Sequence, residues 1–252
     1  MTKLMDEFMF LGGGVMVRKI ILCLVISGTF AFVCFQLYAM YDMMFHTETV
    51  SVEGEEGIVI RQGRTDDHRI AFTCNVDWGE DVLPDMLDIF AEKDIKITFF
   101  VSGKWAKNNP WLLRKIYVLG HEIQNHGYGH RMCSQISEKE VREEIEKTEV
   151  VIKQLTGVVT NTFAPPSGDY DKKTVEVCRE MGYLLSLWSV DTIDWRSDST
   201  ARVIENRVLK KNLNGAILLM HPKEETVKAL PGIIEKIWDR GLTIVTLSEL
   251  MN

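Results

Sequence analysis

From residue 70 onward, short apolar runs alternate with stretches whose apolar residues recur at helical spacing. The runs at 70–74, 95–101, 122–125, 162–164, 184–189, 216–220 and 243–246 predict strands. Helices are predicted at 82–92, 105–119, 172–181, 200–211 and 224–240, with a longer one between them. That long helix starts at a capping box, Ser137 with Glu140. It carries Val141, Ile145, Thr148, Ile152 and Leu155 on one face and stops at Gly157. Strand–helix alternation of this kind signals βαβ units around a parallel sheet. The expectation is an α/β fold, a (β/α) barrel of about seven strands, distorted but TIM-barrel-like.

The N-terminal part has a different pattern. Residues 20–41 contain no Asp, Glu, Lys or Arg. At ~1.5 Å per residue they would span roughly 33 Å as a helix, enough to cross a bilayer. Arg18 and Lys19 precede the run and Asp42 follows it, which predicts a cytoplasmic segment 1–19 and an anchor helix 20–41. A polar linker, 42–67, and a barrel, 68–252, would then lie outside the cell membrane, the chain crossing once. A cleaved signal peptide is the competing reading, although Leu37, two positions before Ala39, is a poor match to a cleavage site.

The chain has 29 basic and 36 acidic side chains, a formal charge of -7. Residues 1–45 hold three of each sign, so the whole excess belongs to the exported part. An acidic domain excludes nucleic acid as the main partner. Cys74, Cys133 and Cys178 follow the apolar run, but no C-x-x-C occurs, and so neither a cysteine zinc site nor a redox motif is indicated.

In a barrel of this type, chemistry is expected at the carboxyl ends of the strands. Those ends carry Asn75 and Asp77, His126 and His130, Asp191 and Asp194, and His221. Two imidazoles four residues apart can share one metal, and a nearby carboxylate would complete a three-ligand site. Zinc or a similar divalent ion would polarise a carbonyl and acidify a bound water. His221 could donate a proton to a leaving group, with Asp194 fixing its tautomer. The bland alternatives are a His pair that ligates nothing and Asp side chains that only cap turns.

These residues give the chain a resemblance to the polysaccharide deacetylase family (the NodB-homology domain, carbohydrate esterase family four). His126–x–x–x–His130 resembles the family's H-[ST]-x-x-H metal motif with Gly127 in the hydroxyl position. Asp191–x–x–Asp194–Trp195 is similar to D-x-x-D-W, and Leu219–x–His221 to L-x-H. Thr98–Val101 and Gly120–Ile123 also look like family sequence. Trp78–Gly79 and His221–Pro222 are similar to the sporulation-associated branch, which implies a bacterial and spore-forming source.

The resemblance implies hydrolysis of N-acetyl groups on aminosugars of peptidoglycan or a chitin-like glycan. It implies a divalent metal, zinc or a relative such as cobalt, on His126 and His130. It makes His221 the acid, oriented by Asp194, and the Ser167 amide an oxyanion donor. Trp78, Pro166, Ser167, Asp191 and Leu219 would contact the sugar. The chain departs from the pattern where the family has T-F-D-D. Thr73 is followed by Cys74, then Asn75 at the base position and Val76 at the ligand position, leaving Asp77 as the third ligand. Ala164 replaces the Arg that orients the base, and an amide such as Asn75 cannot accept a proton near neutral pH. The expectation is therefore a membrane-anchored N-deacetylase with an atypical site. The alternative is a weakened or inactive relative that binds glycan or acts structurally at the cell surface.

Overall fold

The chain, seen in a computed structural model, divides into two units, Met1–Ser51 and Val52–Asn252. The structure describes residues 56–66 and 68–252 of the second unit and only Gln36 of the first. Among the described residues no helix is long and apolar enough to cross a membrane. The expected anchor, 20–41, lies outside them apart from Gln36.

Among the described residues nine strands form one sheet: β1 (Val59–Ile60), β2 (Arg69–Val76), β3 (Thr98–Val101), β4 (Glu122–Asn125), β5 (Thr162–Phe163), β6 (Leu184–Ser186), β7 (Val190–Asp191), β8 (Ile217–Met220) and β9 (Thr243–Val245). The helices are α1 (Leu83–Glu92), α2 (Gly103–Asn108), α3 (Pro110–Val118), α4 (Glu138–Thr156), α5 (Lys172–Met181), α6 (Ala201–Leu209), α7 (Glu224–Asp239) and α8 (Leu247–Met251). The strand order is β1-β6-β5-β4-β3-β2-β8-β7, with β9 also on β2. Every strand pair is parallel. Because β6 and β7 are two ends of one stretch, 184–191, the sheet curls until that stretch meets both β5 and β8. The result is a curled, TIM-barrel-like α/β fold.

The two strands beyond the expected seven are β1 and β7. Two-residue strands carry no periodicity to read, and β1 falls inside the polar lead-in. The helix expected at 105–119 is two helices, α2 and α3, broken at Asn109. Pro110 has no N–H to donate and pushes its predecessor out of the helical region, to φ -124° and ψ 53°. The capping box of Ser137 and Glu140 is present, and Gly157 closes α4 at φ 81°.

Alternation along the strands positions the site. On β2, Ile70, Phe72, Cys74 and Val76 pack into the helix-facing core beside Phe99, Val101, Leu218 and Met220. Ala71 instead joins Phe100, Ala164 and Ile217 inside the curl. A period of two puts Asn75 on that inner side too. Register aligns Val76 with Val101, Val101 with Asn125, and Asn125 with Phe163. The next residues, Asp77, Ser102, His126 and Ala164, therefore form one tier at the strand ends. Cys74 pairs with Met220, which brings Asn75 level with His221.

Candidate active site

Above this tier lies a cavity of about 450 Å³. Its lining includes Asn75, Asp77, His126, His130, Asp191 and His221, together with Trp78, Ser167, Leu219, Trp188 and Trp195. Residues spread over nearly 150 positions of sequence thus converge on one opening. Two expected site residues do not line it. Asp194 stands behind His221, and Pro166 is buried beneath the wall, because the left-handed Ser167 (φ 57°) turns the chain just after it.

The acid side of the site is fully built. Asp194 is 3% exposed. Its Oδ1 lies 2.7 Å from Nδ1 of His221. Its Oδ2 accepts from the His221 backbone N–H at 2.8 Å and from Thr226 Oγ1 at 2.7 Å. Burial pushes the Asp194 carboxyl up, but the hydrogen bonds and charge of His221, with the Thr226 hydroxyl, outweigh it. The carboxyl lies below its ordinary value. An ionised Asp194 fixes the proton on Nδ1, leaving Nε2 of His221 for exchange with a ligand. The Trp78 ring stacks on His221, 6.0 Å between centroids and 15° between planes, and the Lys223 ammonium lies 4.5 Å from the same ring.

The turn that delivers Asp194 is strained. Ile193, β-branched, sits at φ 50°. It is held there by its N–H donating to Asp191 Oδ1 at 2.7 Å and by Ser199 Oγ donating to its carbonyl at 2.7 Å. His130 and Ser167 are also left-handed, at 55° and 57°. Three such non-glycine residues around one cavity fit the tendency of strained backbone to gather where function requires it. Burial raises the Asp191 carboxyl above its ordinary value, against the Ile193 N–H and the charge of His221.

On the opposite side, Nδ1 of His126 lies 2.7 Å from the Ala164 carbonyl, which can only accept. His126 therefore carries its proton on Nδ1 and presents a bare Nε2. Burial, with the neighbouring His130, holds its pKa down at about 3. The two rings stand edge to face, 5.1 Å apart. Beneath them Asn125 bridges the Gly127 N–H and the Ile145 carbonyl.

The expected third ligand, Asp77, follows the last residue of β2. Asp77 shares the cavity, while Val76 is fully buried in the helix-facing core, as alternation requires. But Ser102 Oγ donates to Asp77 Oδ1 at 2.5 Å, drawing the carboxylate toward the start of α2. Among the described residues no three His, Cys, Asp or Glu side chains converge as a set able to hold a metal ion. His126, His130 and Asp77 line the same cavity, with Oδ1 of Asp77 held by the Ser102 hydroxyl.

Four contributors escaped the sequence reading: Trp188, Thr226, Ser102 and Asn125. Trp188 lies near the end of the 184–189 run, just past β6, and an aromatic there was a usable signal. Thr226 sits five residues past His221, where only the turn between β8 and α7 reveals its reach. Trp195, the last residue of the D-x-x-D-W stretch, is 59% exposed at the cavity mouth. Glu80 lines the neighbouring cleft beyond Trp78, outside this cavity.

Two buried imidazoles make the domain acid-sensitive. Burial, with the charge of Lys96, also holds His121 down at about 4. Unfolded imidazoles take up protons near 6.5, which the folded ones refuse. Stability is therefore full above about pH 6.5 and falls with pH through the window down to 4, by roughly 2–3 kcal/mol per histidine at pH 4.5. Urea midpoints at pH 7 and 4.5 check this; a flat profile would mean the folded imidazoles protonate normally.

A parallel sheet whose strand ends join a carboxylate-backed histidine to a second His pair defines a hydrolase-type site. The polysaccharide deacetylase family model matches residues 62–186. The chain belongs to that family, which is one of hydrolases. It is 38% identical over 216 residues to the uncharacterized protein YlxY of Bacillus subtilis, covering 86% of this chain and 66% of that one. It is 33% identical over 172 residues to a peptidoglycan-N-acetylglucosamine deacetylase of Bacillus cereus, covering 66% of this chain and 62% of that one. The chain thus spans somewhat under two thirds of these relatives. The crystal structure of a pseudoenzyme of carbohydrate esterase family 4 from Bacillus anthracis superposes with TM-score 0.75 at 34% identity, over 77% of this chain and 69% of that one. A mutant of that pseudoenzyme is described as having restored enzymatic activity.

Proposed function

We propose that the chain binds an N-acetylated aminosugar glycan of the bacterial cell wall and is an attenuated N-deacetylase. The carrying observation is a complete acid beside an incomplete base. His221 has three atoms of support through Asp194 and Thr226. Asn75, 6% exposed on the cavity lining, has no proton affinity to offer water. His221 would protonate the departing sugar nitrogen, and Trp78, Trp188 and Trp195 would flank the sugar ring. Losing a general base costs typically 10²–10⁴-fold, which attenuates turnover without erasing the binding site. The apolar run 20–41 supports tethering to the cell membrane with the domain outside.

A second reading, binding with no turnover at all, is favoured by Asn75 at the base position and by the likeness to a pseudoenzyme. One experiment separates the two. Titrate chitotetraose calorimetrically into the full chain and assay acetate with and without added zinc. Binding with slow acetate release that disappears in His221→Ala supports the attenuated enzyme. Binding with release equal in His221→Ala supports the second reading, and failure to bind would sink both.

A further inference from the structure

Charge is segregated in this acidic chain. From Ile95 to His121 there is no Asp or Glu, but there are five Lys or Arg. Most of that stretch folds as α2 and α3. The inner face of α3 is Leu112, Leu113 and Ile116, fully buried. Its outer stripe follows helical spacing: Trp111, Arg114, Lys115, Val118. Trp111 is 59% exposed, Val118 79% and Tyr117, next to that stripe, 47%. Lys104 and Lys107 of α2 are exposed as well. Lys115 pairs with Asp88 at 2.9 Å, and Arg114 donates to the Leu155 carbonyl. Lys104, Lys107 and Arg114 form no ion pair among the described residues. Alongside, between these helices and α4, runs a groove of about 730 Å³ lined by Lys107, Lys147, Pro110, Val150 and Leu155, with Glu146 its one acid.

A large exposed apolar and aromatic stripe carrying unneutralised cations is the surface expected to seat on an anionic lipid headgroup layer. Trp and Tyr prefer the interface, Lys and Arg take phosphates, and the aliphatic side chain dips below them. A protein partner of opposite charge would satisfy the cations but leave Trp111 and Val118 needing an apolar counterpart. Headgroups over acyl chains supply both. We infer that the outer face of α2 and α3 docks on an anionic phospholipid surface. The docking adds a second contact to the tether proposed above and rests on it only for proximity. It would hold the cavity at one orientation to the membrane, so that glycan approaches from a set side.

The test uses the full chain reconstituted into nanodiscs whose acyl chains carry bromine, a short-range quencher of tryptophan emission. Discs of brominated phosphatidylglycerol should quench part of the emission, and discs of brominated phosphatidylcholine should not. Trp111→Phe should remove that quenched part, whereas Trp238→Phe should leave it. The triple change Lys104→Glu, Lys107→Glu and Arg114→Glu should remove most of the quenching in phosphatidylglycerol discs at low salt. Equal quenching in both lipids, or quenching that survives Trp111→Phe, would overturn the docking. So would equally tight binding to a soluble polyphosphodiester with no change at Trp111. A chain that does not copurify with discs sinks the tether alone; its sedimentation with phosphatidylglycerol vesicles then still decides the docking.

Discussion

Asn75→Asp with Ala164→Arg is expected to raise acetate release from an N-acetylated aminosugar oligomer by roughly 10²–10⁴-fold over the parent chain. The new carboxylate would stand on the inner side of β2, level with His221 and one tier below His126. The new guanidinium would enter a pocket now filled by apolar neighbours, Phe100, Ile217 and Trp188. Alone, Ala164→Arg buries a charge without a partner and should be strongly destabilising. Alone, Asn75→Asp supplies a base with nothing to orient it. The two changes should therefore be non-additive, in both melting temperature and rate. A folded double variant with parental acetate release would show that the missing base is not what limits this site.

Asp194→Ala is expected to cost roughly 3–5 kcal/mol of stability. The carboxylate is buried and accepts three hydrogen bonds, so its removal strands the His221 N–H and the Thr226 hydroxyl together. The loss has a pH signature. A carboxyl held below its ordinary value stabilises the fold fully above the unfolded pKa of about 3.9, and the benefit disappears as pH falls through the folded value. The gap between parent and variant should thus be constant from pH 5 upward and narrow in stronger acid. Chemical denaturation at pH 7, 5 and 3 measures it. A gap as wide at pH 3 as at pH 7 would place the energy in packing, not in the ionised carboxylate.

How much of this could be read in the chain depends on what each feature leaves behind. Strands such as β2 and β8 alternate over enough residues that both their position and their inner face were legible. His126, His130 and His221 followed, since strand ends carry chemistry in this fold. The break at Asn109 was legible in principle, for Pro110 is a plain signal, but the apolar spacing runs through it and hid the two helices. Asp77 was legible as a strand-end residue, but its partner was not. Its carboxylate answers to Ser102, which lies 25 positions on and becomes a neighbour only through the β2–β3 register. Thr226 is similar, a threonine in an ordinary helical turn until β8 and the Asp194 loop are in place.

The carbonyl that fixes His126 belongs to the main chain of residue 164, not to its side chain. Any residue there leaves the imidazole's tautomer as it is. The two halves of the site are therefore mutationally separable: the arginine can be lost, regained or exchanged while the His pair keeps its form. Residues 75 and 164 can therefore change as a pair while the main-chain contact that orients His126 stays in place.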